Sequence, residues 1–120
     1  MKIDSNCICA VTGAGRGLGL AVAGHLAGLG AKVYGCDITG DAIRKARETA
    51  AQNNWNLDMS VCDVADEQSV AAFFDRIDKA ESRLDVLVNN AGITRDGLLV
   101  KIKDGQVSRM PLADFQGVIN

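Results

Sequence analysis

The chain has 120 residues, 48% of them hydrophobic and 23% charged, with a formal net charge of −2. A chain of this length can bury roughly two-thirds of its unfolded surface in one core, and its slight acidity excludes a nucleic-acid binder that works through a basic footprint. No run reaches the ~20 apolar residues of a membrane span, and the polar opening Met1–Asn6 lacks a signal-peptide core, so neither membrane nor nucleic acid is an expected partner and the expected location is cytoplasmic.

Cys7, Cys9, Cys36 and Cys62 do not make a disulfide framework; in a non-secreted chain they are expected to be reduced, small and buried. Cys7 and Cys9, two apart, share one face of a strand, and no metal site is expected. Thirteen glycines exceed the usual ~7% share. They gather between Gly13 and Gly40, where some feature requires close backbone approach.

Short apolar runs alternate with helical stretches, the pattern of βαβ units and a parallel sheet. Cys7–Thr12 reads as a buried strand ending in glycines. Leu18–Leu29 reads as a helix whose Gly24 and Gly28, four apart, are expected to thin one face for packing on the sheet. Lys32–Asp37 is the second strand and Asp41–Gln52 the second helix, with Arg44, Lys45, Arg47 and Glu48 toward water. Leu57–Cys62 follows as the third strand. Asp66 is the expected N-cap of a third helix in which Val70, Phe73, Phe74 and Ile77 recur at i, i+3, i+4 and i+7. Leu84–Asn89 is a fourth strand. Beyond Gly92 the rhythm breaks: Leu98–Arg109 places Asp104-Gly105 between alternating arms, which predicts a hairpin with a type I′ turn. Pro111 then stands at a helix start, with Leu112, Phe115, Val118 and Ile119 at helical spacing.

Thr12–Gly19 lies where the first strand hands over to the first helix. A strand, a glycine turn and a helix N-terminus make an anion site, because free backbone N–H groups point outward and the helix dipole favours a phosphate. No Gly-Lys-Ser/Thr ending follows, which excludes a P-loop triphosphatase. The strict G-x-G-x-x-G spacing is also absent, since Leu18 stands where its third glycine belongs. The pattern that fits is T-G-x-x-x-G-x-G, with Gly13, Gly15, Gly17 and Gly19 shaping a dinucleotide turn. Asp37 ends the second strand, where a carboxylate can hydrogen-bond adenosine ribose hydroxyls and repel a 2′-phosphate. That favours NAD(H). Arg16 pulls the other way, since a guanidinium in the turn could hold the 2′-phosphate of NADP(H).

Thr12–Gly19, Asp63-Val64, Asn89-Asn90-Ala91-Gly92 and Gly92–Asp96, in this order, resemble the short-chain dehydrogenase/reductase family, and most of all its 3-oxoacyl-[acyl-carrier-protein] reductase branch. The resemblance covers the chain except Val100–Pro111. It implies an α/β, Rossmann-type doubly wound parallel sheet, of which this chain would form the N-terminal half with about four strands. It further implies that Gly13, Arg16, Leu18 and Gly19 line the pyrophosphate and that Asp37 and Ile38 meet the adenosine ribose. Asp63 would take a hydrogen bond from the adenine amino group, Val64 would pack beside the ring, and Asn90, Ala91 and Gly92 would run along the cofactor ribose. Asn89 would steady the central strand. A small carbonyl or alcohol substrate and, at full length, a homo-oligomer (a tetramer) are implied as well.

The family's chemistry uses a serine and a Tyr-x-x-x-Lys, the tyrosine passing a proton to the substrate oxygen and the lysine lowering its pKa. Tyr34 is the one tyrosine here, and Ile38 stands four residues after it. The family's helix-four asparagine would fall two residues past Asn120. No catalytic residue is therefore expected in this chain. Residues 1–120 are expected to be the cofactor-binding half of an oxidoreductase, cut within its fourth helix and inactive alone. The alternative is a non-catalytic dinucleotide-binding or assembly module.

Overall fold

A computed structural model describes residues 2–90 and the backbone of 99–102. Four parallel strands form the sheet: β1 (Ile8–Thr12), β2 (Lys32–Asp37), β3 (Leu57–Val61) and β4 (Val86–Asn89). A fifth, β5 (Leu99–Ile102), joins antiparallel to β4, giving the order β3-β2-β1-β4-β5. Three helices connect them: α1 (Gly17–Gly28), α2 (Gly40–Asn53) and α3 (Glu67–Glu81). β1 is flanked on both sides, so all five of its residues are buried and its run is apolar rather than alternating.

Period-2 side-chain alternation assigns the strand residues to two layers. Cys7, Cys9, Val11, Val33 and Met59 pack with Ala23, Leu26 and Ala27 of α1 and Ile43 and Ala46 of α2. Ile8, Ala10, Tyr34, Cys36 and Leu87 pack on the opposite side with Val70, Phe73, Phe74 and Ile77 of α3. The sheet is thus wound on both faces, as expected. All four cysteines are free and buried, and Cys7 and Cys9 share one layer.

Most element limits match the sequence reading to within two residues. The differences have local causes. Cys7 precedes β1 because its N–H turns back to the Asp4 carbonyl at 3.0 Å. Leu84 and Asp85 stand outside β4, and the Asp85 carboxylate caps the start of β1 by accepting the Ile8 N–H at 2.8 Å. Asp66 does cap α3, accepting from the Gln68 N–H at 3.0 Å. α2 and α3 stop at residues in the left-handed region, Asn54 (φ 56°) and Ser82 (φ 58°).

Two expectations are corrected. Gly24 does not thin α1 against the sheet; it faces the Trp55 ring, and Gly28 has open space where its Cβ would be. Arg47 is not simply a solvated charge, since its guanidinium donates at 2.8 Å to the Met59 carbonyl of the edge strand β3. Of the expected hairpin, the first arm lies in β5 and pairs with β4. Its turn, its second arm and the helix after Pro111 lie outside the described residues.

Candidate functional site

The candidate site lies at the carboxyl ends of β1, β2, β3 and β4. In this strand order the chain crosses from the β2–β3 side of β1 to β4, and open α/β sheets place their ligands at that reversal. The turn after β1 is built by backbone geometry. Gly13 has φ +64°, a region where a Cβ is strained, and Gly17 has φ +57°. A Cβ on Gly19 would collide with the Gly13 carbonyl oxygen, so the first turn of α1 presses directly on the loop. The Ala14 N–H donates to the Cys36 carbonyl at 2.9 Å, stitching the loop to the end of β2.

The N-terminus of α1 is bare. Arg16 occupies its N-cap position in extended conformation without a side-chain cap, and the first turn holds no acid. Uncapped N–H groups and the helix dipole leave this end electropositive. Arg16 is exposed, and Leu18 is 56% exposed despite being apolar.

Asp37 closes β2 and is only 7% exposed. Its Oδ2 accepts the Gly15 N–H at 3.0 Å and its Oδ1 accepts the Ile38 N–H at 2.7 Å. Ile38, beside it, is 57% exposed. One strand further, Asp63 folds its Oδ1 back onto the Ala65 N–H at 2.9 Å, and its own N–H donates to the Ser69 hydroxyl at 2.9 Å. Val64 is half-buried against the α3 layer.

At the β1–β4 reversal, Thr12 and Asn89 face each other in register. The Thr12 hydroxyl donates to Asn89 Oδ1 at 2.8 Å and accepts the Asn90 N–H at 2.9 Å. Asn90 then reaches its amide to the Gly13 carbonyl at 3.4 Å. Asn89 is buried, and among the described residues its Nδ2 has no hydrogen-bond partner.

The structure therefore brings Gly13, Gly15, Arg16, Gly17, Leu18, Gly19, Asp37, Ile38, Asp63, Val64 and Asn90 to one end of the sheet. Ala91 and Gly92 lie outside the described residues. Thr12 is the residue to which the sequence reading assigned no role; its position before the first glycine was the available signal. The buried thiols of Cys36 and Cys62 lie directly behind Asp37 and Asp63. A hydrogen bond to Cys62, together with burial, pushes the Cys36 pKa up and keeps it a thiol. Tyr34 is not at this end: its hydroxyl donates at 2.6 Å to Glu81, which also holds Lys32 at 2.8 Å. Among the described residues no cluster of three His, Cys, Asp or Glu side chains is arranged for a metal ion, and no helix is long and apolar enough to cross a membrane.

A parallel sheet wound on both faces, with a glycine turn at the strand reversal and a buried carboxylate closing the next strand, defines a Rossmann-type α/β fold. Residues 7–120 match the family model described as short chain dehydrogenase, and the chain belongs to the short-chain dehydrogenase/reductase family. It is 41% identical over 99 residues to the 3-oxoacyl-[acyl-carrier-protein] reductase FabG of Pseudomonas aeruginosa, covering 82% of this chain and 40% of that protein. Among solved structures it resembles an F189W actinorhodin polyketide ketoreductase with NADPH (TM-score 0.69, 30% identity, 76% of this chain and 35% of that one). It also resembles a short-chain dehydrogenase/reductase from Burkholderia phymatum in complex with NAD (TM-score 0.67, 26% identity, 72% of this chain and 31% of that one). The chain spans less than half the length of each.

Proposed function

We propose that this chain supplies the dinucleotide-binding half of an oxidoreductase that moves hydride between a nicotinamide cofactor and a carbonyl/alcohol pair. The observation that carries this reading is the uncapped start of α1 beside a glycine loop with no room for side chains at Gly15 or Gly19. Such a surface suits a pyrophosphate approached by backbone alone. When bound, the nicotinamide would supply the hydride; the residues described above would only hold and orient it. Gly13, Arg16, Gly17, Leu18 and Gly19 would border the pyrophosphate, Asp37 and Ile38 the adenosine ribose, and Asp63 and Val64 the adenine. Asn90, tied to both Thr12 and Gly13, would border the second ribose with Ala91 and Gly92.

NAD(H) is the favoured cofactor over NADP(H), because the ordered carboxylate of Asp37 opposes a 2′-phosphate. Reduction of a 3-oxoacyl thioester is the substrate reading, supported by the likeness to the Pseudomonas aeruginosa reductase. A tetramer formed by the whole protein belongs to the same reading. A second reading, a module that binds dinucleotide without chemistry, is favoured by one observation: the one tyrosine of the chain is 2% exposed and committed to Glu81.

Calorimetric titration of the chain with NADH and NADPH tests the first part. NADH is expected to bind at least tenfold more tightly; equal or reversed affinities would overturn the preference, and no binding of either would overturn the dinucleotide reading. Absorbance at 340 nm with a 3-oxoacyl thioester is expected to show no turnover by the 120 residues alone. Turnover by the whole protein decides between the two readings.

A further inference from the structure

Two of the four buried thiols meet beneath the ends of β2 and β3. Cys36, the residue before Asp37, and Cys62, the residue before Asp63, lie in the same buried layer under α3. Strand register brings them there. Cys36 stands opposite Ser60, Cys62 is two positions further on, and period-2 alternation turns residues 60 and 62 toward one face. The Cys62 N–H extends the ladder by donating to the Asp37 carbonyl at 3.0 Å.

The two sulfurs are not equivalent. The Cys36 thiol donates to the Cys62 sulfur, which also receives the Ser69 hydroxyl from the first turn of α3. These hydrogen bonds, that from Cys36 first, hold the Cys62 pKa below its ordinary value against burial and the carboxylates of Asp63 and Asp66. Access differs as well. Cys36 is 0% exposed, whereas Cys62, at 3%, directly follows Val61, a residue of the edge strand β3 that is 67% exposed. The other two thiols are arranged differently: Cys7 donates to the Lys2 carbonyl at 3.2 Å, and burial pushes Cys9 up to about 12.

We propose that Cys36 and Cys62 form a redox modification site, oxidised by hydrogen peroxide to a disulfide that loosens the hold of Asp37 and Asp63 on a bound dinucleotide. The modification stands on the thiol pair; its effect on binding rests on the dinucleotide reading. Peroxide is small enough to reach Cys62 when the chain after Val61 opens locally. The Cys62 thiolate attacks one peroxide oxygen, an S–O bond forms as the O–O bond breaks, and the departing hydroxide takes up a proton to give water. Cys36 then gives up its proton and attacks the Cys62 sulfur. The S–S bond forms, the S–O bond breaks, and the leaving hydroxide takes that proton as a second water. Two thiols and one peroxide thus give one disulfide and two waters. A disulfide has fixed geometry where a thiol contact is adjustable, so the strand ends carrying Asp37 and Asp63 shift to close it.

The test treats the folded, reduced chain with hydrogen peroxide and maps its cysteines by mass spectrometry. NADH is titrated before oxidation, after it, and after a thiol reductant. A Cys36–Cys62 disulfide is expected ahead of any linkage through Cys7 or Cys9, with NADH affinity lowered roughly fivefold or more and restored by the reductant. Failure of that disulfide to form, or its appearance only among scrambled linkages, overturns the site. An unchanged NADH affinity in the disulfide form overturns the effect on binding. A reduced chain that binds no NADH removes the dinucleotide reading, while the linkage map still decides the modification. Cys36→Ala leaves Cys62 without a resolving thiol, so its sulfenic acid should be trapped by dimedone; trapping at Cys7 or Cys9 instead would overturn Cys62 as the attacking sulfur. If that variant does not fold, the linkage map of the unmodified sequence decides.

Discussion

The indole of Trp55 rests on the backbone of α1 at Gly24, where a Cβ would lie 2.6 Å from ring carbon Cζ2 and 2.9 Å from Cζ3. A glycine inside a helix costs about 1 kcal/mol relative to alanine. The close approach offsets it by bringing a large half-buried ring into the layer formed by α1 and α2. It also ties the segment that enters β3 to the helix that follows the glycine loop.

Gly24→Ala should therefore destabilise the chain by about 1–3 kcal/mol through overpacking, although alanine is the better helix former. Gly28→Ala, with open space around its Cβ, should stabilise by roughly 0.5–1 kcal/mol. Urea unfolding followed by Trp55 fluorescence measures both. A pair of shifts with the same sign would show that the indole contact is not what makes Gly24 necessary.

Thr12 carries two hydrogen bonds, a buried one to Asn89 and a partly buried one from the Asn90 N–H. Thr12→Val preserves the shape and deletes both, leaving Asn89 Oδ1 and the Asn90 N–H without this partner. A loss of about 2 kcal/mol is expected. NADH affinity should fall too, because Asn90 loses its anchor over the glycine loop. Retention of wild-type affinity at reduced stability would confine Thr12 to a role in the sheet alone.

The Lys32–Glu81–Tyr34 group sets the pH window of its own contribution. Hydrogen bonds from Lys32 and then Tyr34 hold the Glu81 pKa below its ordinary value. Its stabilisation is thus complete above the ordinary glutamate pKa of about 4.3 and drains away as pH falls through the lower folded value. At the alkaline end the hydrogen bond to Glu81 raises Lys32, while burial and then the hydrogen bond to Glu81 raise Tyr34. Both contributions are complete below about pH 10 and are lost as pH rises through the raised folded values. Glu81→Gln should lower stability by about 1 kcal/mol at pH 7 and by less at pH 3. Urea midpoints at the two pH values give the comparison; an equal gap at both would contradict the assignment.

Asp66 and Asp63 lie three residues apart with different expected consequences. Asp66→Ala removes the cap of α3 and should cost about 1 kcal/mol with NADH affinity unchanged. Asp63→Ala should weaken NADH several-fold while costing less stability, because it frees only the Ala65 N–H of an exposed turn. Calorimetry and urea midpoints on the two variants would expose the opposite ordering, which would move Asp63 from the site to the scaffold.

Much of the fold was readable because its signals are local. Apolar runs marked the four parallel strands, Val70, Phe73, Phe74 and Ile77 marked the buried face of α3, and Asp66 marked its start. Of the site, the glycine turn and Asp37 stood out by residue type and spacing. What was not readable depends on partners distant in the chain. Asp37 reaches Gly15 across 22 positions and Thr12 reaches Asn89 across 77, and neither bond leaves a periodic trace. Gly24 offered two equally good surfaces, the sheet and an aromatic ring, and only packing selects between them. The alternating arm in Leu99–Ile102 could pair with any open edge. The structure joins it to β4, because an amphipathic pattern states which face is buried without stating the neighbour.

The free cysteines are distributed evenly across the sheet: Cys7 and Cys9 lie beneath α1 and α2, Cys36 and Cys62 beneath α3. Burial holds the pKa of Cys9 up, at about 12, and none of the four thiols is presented to solvent. Each pair can be alkylated only when its own layer opens. The molecule thus carries two native chemical clocks, one for each half of its interior, and mass spectrometry of the labelled cysteines can tell whether a dinucleotide slows both clocks or only one.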